Sequence, residues 1–356
     1  MKFKSQLFDF VFREWLLIIS AFSFLLISIY VNQLPSYSIQ EIEILLILFA
    51  LFVTIKGFEN SGLVLKISKI VEGSNFVGLK LILLTFVLSM LVTNDVALIF
   101  IVPLTLKINF NKKDMMIILE ALAANAGSAL TPIGNPQNLF IYWNYNLKPG
   151  QFISSIWLFS FVFIFILCLT TFLLKINSDI SGQTSSNGIN KLSVSYAILF
   201  VLVILIVVHA IPVYAISFVF LFVLLFDRIS LKIDYLLLLT FFFFFGFAEN
   251  LKFVLASEIK HSGHVFILSA LLSQVISNVP ATLIFAKFTS HWKALLWGSN
   301  AGGFGSLFGS LANLIAYRLY AANVNNGNIK NFTLKFIGIG YIAFFIGAGL
   351  YFFFIV

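Results

Sequence analysis

The chain has 356 residues, 60% of them hydrophobic and only 10% charged, with a mean hydropathy of +1.04; a water-soluble fold carries far less apolar surface than this. A soluble enzyme is excluded. So is a protein held by one or two anchors, because apolar runs such as Tyr196 to Val208 and Tyr235 to Phe247 recur along the whole length.

The formal charge of +8 comes from 22 Lys and Arg against 14 Asp and Glu. It falls mostly in short loops, where basic residues orient spans and are not a nucleic-acid surface. One cysteine, Cys168, precludes an intramolecular disulfide or a thiolate metal site. The four histidines, His209, His261, His264 and His291, show no metal-ligand spacing and read as loop or interfacial residues. No phosphate loop is present, so ATP-driven pumping by this chain is unsupported.

In chain order, Lys2, Lys4 and Arg13 precede the run Trp15 to Val31 with no small-residue cleavage site after it, which predicts an uncleaved first span. At about 20 residues per crossing, spans are expected over 14–31, 41–58, 114–145, 153–175, 192–211, 213–226, 234–251, 292–320 and 333–355, nine in all. Two further apolar stretches, 77–107 and 264–288, each hold a polar tripeptide at the middle: Thr93, Asn94, Asp95 and Ser277, Asn278, Val279. Each is longer than one crossing and shorter than two. A re-entrant hairpin with a polar tip fits, provided the tip lines protein or a water-filled cavity; the alternative is one long tilted helix.

With the N-terminus inside, the basic loops near Lys56, Lys66 and Lys69, near Lys107, Lys112 and Lys113, near Lys175 and Lys191, and near Arg228 and Lys232 all fall on the cytoplasmic side of a plasma membrane. The C-terminus is then outside. This parity depends on 213–226, a short segment parted from its predecessor only by Pro212. Residues 176–191 read as a polar linker. Glu59 and Glu249 sit at span ends and read as structural, and the run Phe241 to Phe245 reads as lipid-facing or core packing.

The stretch Asn125 to Tyr142 lies on Asn300 to Tyr317 at a constant shift of 175 without gaps, with seven identities, among them Asn125/Asn300, Gly127/Gly302, Gly134/Gly309 and Asn138/Asn313. Upstream, Thr93, Asn94 and Ala97 match Ser277, Asn278 and Ala281, and Gly57 to Asn60 answers Gly246 to Asn250. The same order in both halves argues for duplication. Four crossings in the first unit and an extra one at 192–211 make the second unit begin on the opposite side. The expected fold is therefore an all-α polytopic membrane protein of two inverted repeats. The first occupies 1–175, a linker and connecting helix 176–212, and the second 213–356. Substrate sites in such folds lie near the midplane, where broken helices meet.

Thr131 to Asn138 cannot continue a helix, because Pro136 lacks a donor and Gly134 admits unusual dihedrals. The break frees carbonyls that can coordinate sodium and N–H groups that attract an anion. Gly305 to Ser310 unwinds through glycine and serine without proline. At the tips, Asn94 and Asn278 each offer an amide suited to an oxyanion or a cation shell, or to gluing helices together. Asp95 is an ionisable group at membrane depth, open to proton coupling, cation binding or a salt bridge.

The tip T-N-D-V-A-L-I-F at 93–100, the stretch T-P-I-G-N-P-Q-N at 131–138 and S-N-V-P-A at 277–281 resemble the ion transporter superfamily, which includes arsenite/antimonite permeases, sodium/proton antiporters, citrate transporters and divalent anion:sodium symporters. The resemblance covers nearly the whole chain. It implies a scaffold plus a moving region with one hairpin entering from each side, an elevator-like displacement, and a homodimer. It also implies that Asn94 and Thr131, and Asn278 and Ser306, surround substrate and cation. Where dicarboxylate symporters carry Ser-Asn-Thr tips and a second proline, this chain has Asp95, Val279 and Gln137. The N-D-V-A tip is closer to the arsenite-permease branch.

The resulting expectation is a secondary transporter of a small anion or oxyanion, such as arsenite or a carboxylate, coupled to Na+ or H+ and without other cofactor or metal. The alternative is a Na+/H+ antiporter using Asp95. Candidate substrate ligands are Asn94, Thr131, Asn135, Asn278, Asn300 and Ser306; candidate coupling-ion ligands are Thr93, Asp95, Asn125, Gly134, Ser277 and Gly309.

Overall fold

The computed structural model describes residues 14–62, 76–176, 178–179, 191–254, 259–323 and 326–355. Lys2, Lys4, Arg13, Lys66, Lys69 and most of the expected linker 176–191 lie outside them.

The first expected span is α1 (Trp15–Val31) and the second is α2 (Ile39–Asn60). A capping box starts α2: Glu41 N–H donates to Ser38 Oγ while Ser38 N–H donates to the Glu41 carboxylate at 2.8 Å. The stretch 77–107 divides into α3 (Val77–Val92) and α4 (Asn94–Lys107), turning at Thr93. The stretch 264–288 likewise divides into α11 (Ser262–Ile276) and α12 (Asn278–Ala286), turning at Ser277. Thr93 and Ser277 have φ of 80° and 76°, a conformation that non-glycine residues adopt only where their surroundings impose it. One long helix is thereby ruled out for either stretch.

The expected span 114–145 is α5 (Lys113–Ser128) followed by α6 (Pro136–Asn144). Pro136 takes the first position of α6, where its missing N–H leaves no bond unmade, and Asn135 Oδ1 caps the helix by accepting from Asn138 N–H at 2.9 Å. The matching span is α13 (Trp292–Gly302) followed by α14 (Leu311–Ala321), capped by Ser310. Gly305, at φ +87°, supplies the unwinding that proline supplies in the first half.

The remaining helices are α7 (Pro149–Leu173), α8 (Lys191–Val207), α9 (Ile216–Phe226), α10 (Tyr235–Val254) and α15 (Asn326–Phe354). Among the described residues, three helical segments are singly long and apolar enough to cross a bilayer: Pro149–Leu173, Arg228–Val254 and Ile329–Phe354. The arms of each hairpin and the two parts of each broken helix are shorter because the tips and breaks divide them, while α1 and α8 have 17 residues each and α2 has 22. Helix α9, preceded by the 3-10 turn Val213–Ala215, has 11 residues. At about 1.5 Å per residue it falls well short of a hydrocarbon core of about 30 Å.

Phe22, Phe161, Phe165, Phe172, Phe218 and Phe353 project outward, as in a polytopic membrane protein that faces lipid. Of the run Phe241 to Phe245, residues 241, 244 and 245 are buried and Phe242 is exposed. The one strand pairing among the described residues is a two-residue antiparallel pair, β1 (Asn109–Phe110) with β2 (Ser178–Asp179).

The two halves pack alike. Helix α3 lies along α5 and α11 along α13. Gly127 lets α5 reach α3, since a Cβ there would stand 2.2 Å from Phe86 O, and Gly298 lets α13 reach α11 with a Cβ at 2.2 Å from Ser269 Oγ. Glu59 pairs with Lys56 at 2.7 Å, and Glu249 pairs with Lys287 at 2.8 Å. Lys287 also meets Glu41 at 2.7 Å, tying the end of α12 to the starts of α2 and the end of α10.

Candidate functional site

Each tip is pinned to a broken stretch by the same backbone bond. Asn94 N–H donates to Gly134 O at 3.1 Å and Asn278 N–H to Gly309 O at 3.0 Å. A second bond repeats as well: Thr131 Oγ1 donates to Met90 O at 2.6 Å, and Ser306 Oγ donates to Gln274 O at 2.9 Å. Met90 and Gln274 each precede their tip by three residues. These two hydroxyls therefore hold the breaks against the first arms of the hairpins.

The asparagines join the halves. Asn125 Nδ2 donates to Asn313 Oδ1, and Asn300 Nδ2 donates to Asn138 Oδ1, both at 2.8 Å. Asn138 Nδ2 also gathers Ser128 O and Ala129 O at 3.1 Å, while Asn313 Nδ2 gathers Gly303 O at 2.9 Å and Ser306 O at 3.1 Å. Carbonyls left over by the two breaks are thus satisfied by side-chain amides in place of water. Asn94 Nδ2 reaches Asn125 Oδ1 at 3.1 Å and Ser310 Oγ at 3.4 Å, and Asn135 Nδ2 reaches Ser128 Oγ at 3.1 Å and Asn300 Oδ1 at 3.4 Å.

In front of this frame lies a narrow cleft of about 30 Å³, walled by Asn94, Asp95, Pro136, Gln137, Ser277, Asn278, Ser310 and Leu311, with Leu16, Leu237, Thr240 and Phe241 opposite. The first residues of four helices, α4, α6, α12 and α14, converge on it. Each brings the positive end of its dipole. No Lys, Arg or His is among the described residues of the wall.

Asp95 also faces a neighbouring cavity of about 230 Å³ with Thr93, Lys56, Glu59, Lys232 and Asp234. A third, of about 520 Å³, is bordered by Glu14, Asp234 and Arg318 and shares Leu16, Leu237 and Leu311 with the cleft. Together they form a vestibule whose charged rim comes from the approach to α1, the end of α2, the approach to α10 and α14.

Asn94, Asp95, Ser277 and Asn278 thus stand on the cleft wall. Asn125, Asn135 and Asn300 lie in the amide frame behind it, and Gly134 and Gly309 give it their carbonyls. Thr93 opens on the vestibule, and the hydroxyls of Thr131 and Ser306 are turned to Met90 and Gln274. Two wall residues escaped the reading of the sequence. Ser310 is detectable as the position 175 after Asn135, and Gln137 showed only as the residue standing where dicarboxylate symporters carry a second proline. Both side-chain polar atoms of Gln137, and Oδ1 of Asp95, are buried without a partner.

Residues 9–291 match the model of a family described as citrate transporter. The chain is 37% identical over 334 residues to the uncharacterized transporter MJ0456 of Methanocaldococcus jannaschii, covering 89% of this chain and 90% of that one. It is 35% identical over 257 residues to the inner membrane protein YbiR of Escherichia coli, covering 67% and 68%. The silicon efflux transporter LSI3 of Oryza sativa subsp. japonica is 30% identical over 129 residues, 34% of this chain and 26% of that protein. The matched region runs through both tips and the first broken helix, so this chain belongs to the citrate transporter family, within the ion transporter superfamily that those motifs resemble.

Proposed function

We propose that the protein is a secondary active transporter of a small anion or oxyanion, coupled to Na+ or H+. The observation that carries this reading is the meeting of four helix N-termini on one cleft that has no basic side chain among its described walls. Backbone dipoles and N–H groups there attract negative charge. Asp95 stands on the same wall, and an anion can settle beside a carboxylate only if that carboxylate is neutralised. A proton on Asp95, or a sodium ion between it and nearby carbonyls, does so and binds together with the anion. That is the basis of coupling.

The matched bonds of the two halves support reading 1–175 and 213–356 as inverted repeats, joined through 176–212. The amide frame ties both hairpins to both broken helices, so this assembly moves as one body against α1, α2, α8 and α10, an elevator-like displacement. Lys112 Nζ donates to Leu174 O and Lys113 Nζ to Leu106 O, while Lys56 and Lys232 share one cavity. These lysines mark the cytoplasmic side of a plasma membrane, so the vestibule opens inward. Assembly as a homodimer rests on the resemblance alone. The family model is described by citrate and the Oryza sativa relative by silicon; a cleft lined by amides and hydroxyls suits an oxygen-rich cargo.

The test is flux into proteoliposomes under imposed sodium or pH gradients, with arsenite, phosphate, hydrogencarbonate, sulfate, succinate and citrate as cargo. Gradient-driven flux that becomes insensitive to the gradient in Asp95→Asn is expected. No flux of any of these anions would sink the proposal, and sodium-driven proton movement without an anion would turn it into antiport.

A further inference from the structure

The polar groups of the duplicated frame come in matched pairs: Asn94 with Asn278, Asn125 with Asn300, Asn138 with Asn313, and Asn135 with Ser310. Most of these are engaged with one another or with freed carbonyls. Two wall positions break the match. Asp95 corresponds to Val279, and Gln137 corresponds to Ala312. These same two side chains are the described wall residues that hold buried polar atoms without a partner.

Gln137 is the stronger signal. Its side chain is 1% exposed, and both Nε2 and Oε1 are unbonded. Leaving a buried amide unbonded costs about 1–3 kcal/mol per group, so an amide held this way at the mouth of a helix points to a ligand that completes it. A primary amide presents a donor and an acceptor side by side. The complement is a group that places a hydroxyl next to another oxygen, the hydroxyl donating to Oε1 and the other oxygen accepting from Nε2. A fully ionised carboxylate or sulfate satisfies Nε2 and sets a bare oxygen against Oε1.

On the reading of the cleft as a transport site, we infer that Gln137 is its specificity-determining residue and that the cargo is a small oxyacid retaining a hydroxyl at neutral pH. Asn94 and Asn278 frame that cargo, and Gln137 selects it. No proton leaves the cargo on binding.

The experiment melts the purified protein at pH 7.5 with arsenite, phosphate or hydrogencarbonate, each of which keeps a hydroxyl, and with sulfate and succinate, whose acid groups do not. Stabilisation by at least one of the first three and by neither of the last two is expected. Gln137→Leu removes an unbonded amide, so its unliganded melting temperature stays at or above that of the wild type while apparent affinity falls about tenfold or more, the worth of one good hydrogen bond. Gln137→Met, close in length, loses both donor and acceptor without adding charge, and weakens binding likewise should the leucine variant fold poorly. Equal shifts in wild type and both variants, stabilisation by sulfate or succinate, or no shift with any of the five probes would overturn the inference. Gradient-driven flux of sulfate or succinate would do so while leaving the transport reading intact. Loss of all flux would remove that reading itself.

Discussion

An asparagine in an apolar segment is ambiguous until its partners are known, and here the partners divide the asparagines by task. Asn138 and Asn300 face each other across the halves at 2.8 Å and each also collects main-chain groups. Asn300→Ala leaves the buried Asn138 Oδ1 without its donor and should lower stability by about 1–3 kcal/mol, read as a fall in melting temperature in detergent. In a double-mutant cycle with Asn138→Ala the losses should be less than additive; strict additivity would refute the direct bond. Lys287 supplies a second test. Its side chain is 9% exposed between Glu41 and Glu249, so Lys287→Met leaves Glu41, only 3% exposed, without its cation and Glu249 with Lys252 alone, at a cost of about 3 kcal/mol. Adding Glu41→Gln and Glu249→Gln should recover most of the loss, and no recovery would show that the pairing is not what Lys287 supplies. The tip asparagines were legible in the sequence because they are duplicated. The Lys287 cluster was not, since its partners come from α2 and α10 and no local spacing announces them. The bonds of Thr131 and Ser306 to main-chain oxygens escaped for the same reason: a carbonyl acceptor leaves no trace in residue identity.

At the scale of helices, the breaks were readable wherever covalent chemistry enforces them. Pro136 ends one helix and begins another by lacking a donor, and Gly305 turns through φ +87° where any other residue is strained. Close approach between helices is the other local demand, and it yields a paired comparison. A Cβ on Gly127 would lie 2.2 Å from Phe86 O, whereas Gly150 in α7 has open space around it. Gly127→Ala should therefore lower the melting temperature by forcing α5 off α3, while Gly150→Ala should raise it slightly, by about 0.4–1 kcal/mol of backbone entropy. If both substitutions stabilised, the tight α3–α5 contact would have to be discarded. Helix α9 and the pair of two-residue strands were less legible. A run of 11 apolar residues is compatible with several depths, and two-residue strands that pair loops far apart in the chain leave no local pattern.

For the whole molecule, the order of tips and breaks was evident from the shifts of 184 and 175 residues, because the same residue types recur where backbone geometry is most demanding. The vestibule was not evident, since its rim gathers Glu14, Lys56, Lys232 and Arg318 from four distant segments. The reciprocal amide contacts between Asn125 and Asn313 and between Asn300 and Asn138 have a consequence for biogenesis. Neither half is a finished object: made alone, each would present dangling carboxamides and loop carbonyls to hydrocarbon. Severed within 181–190 and synthesised as two polypeptides in one cell, the pieces should find each other and co-purify, whereas either piece produced by itself should be cleared by quality-control proteolysis. A lone piece that accumulated stably would mean that the interlocking is decoration, and that each half stands unaided.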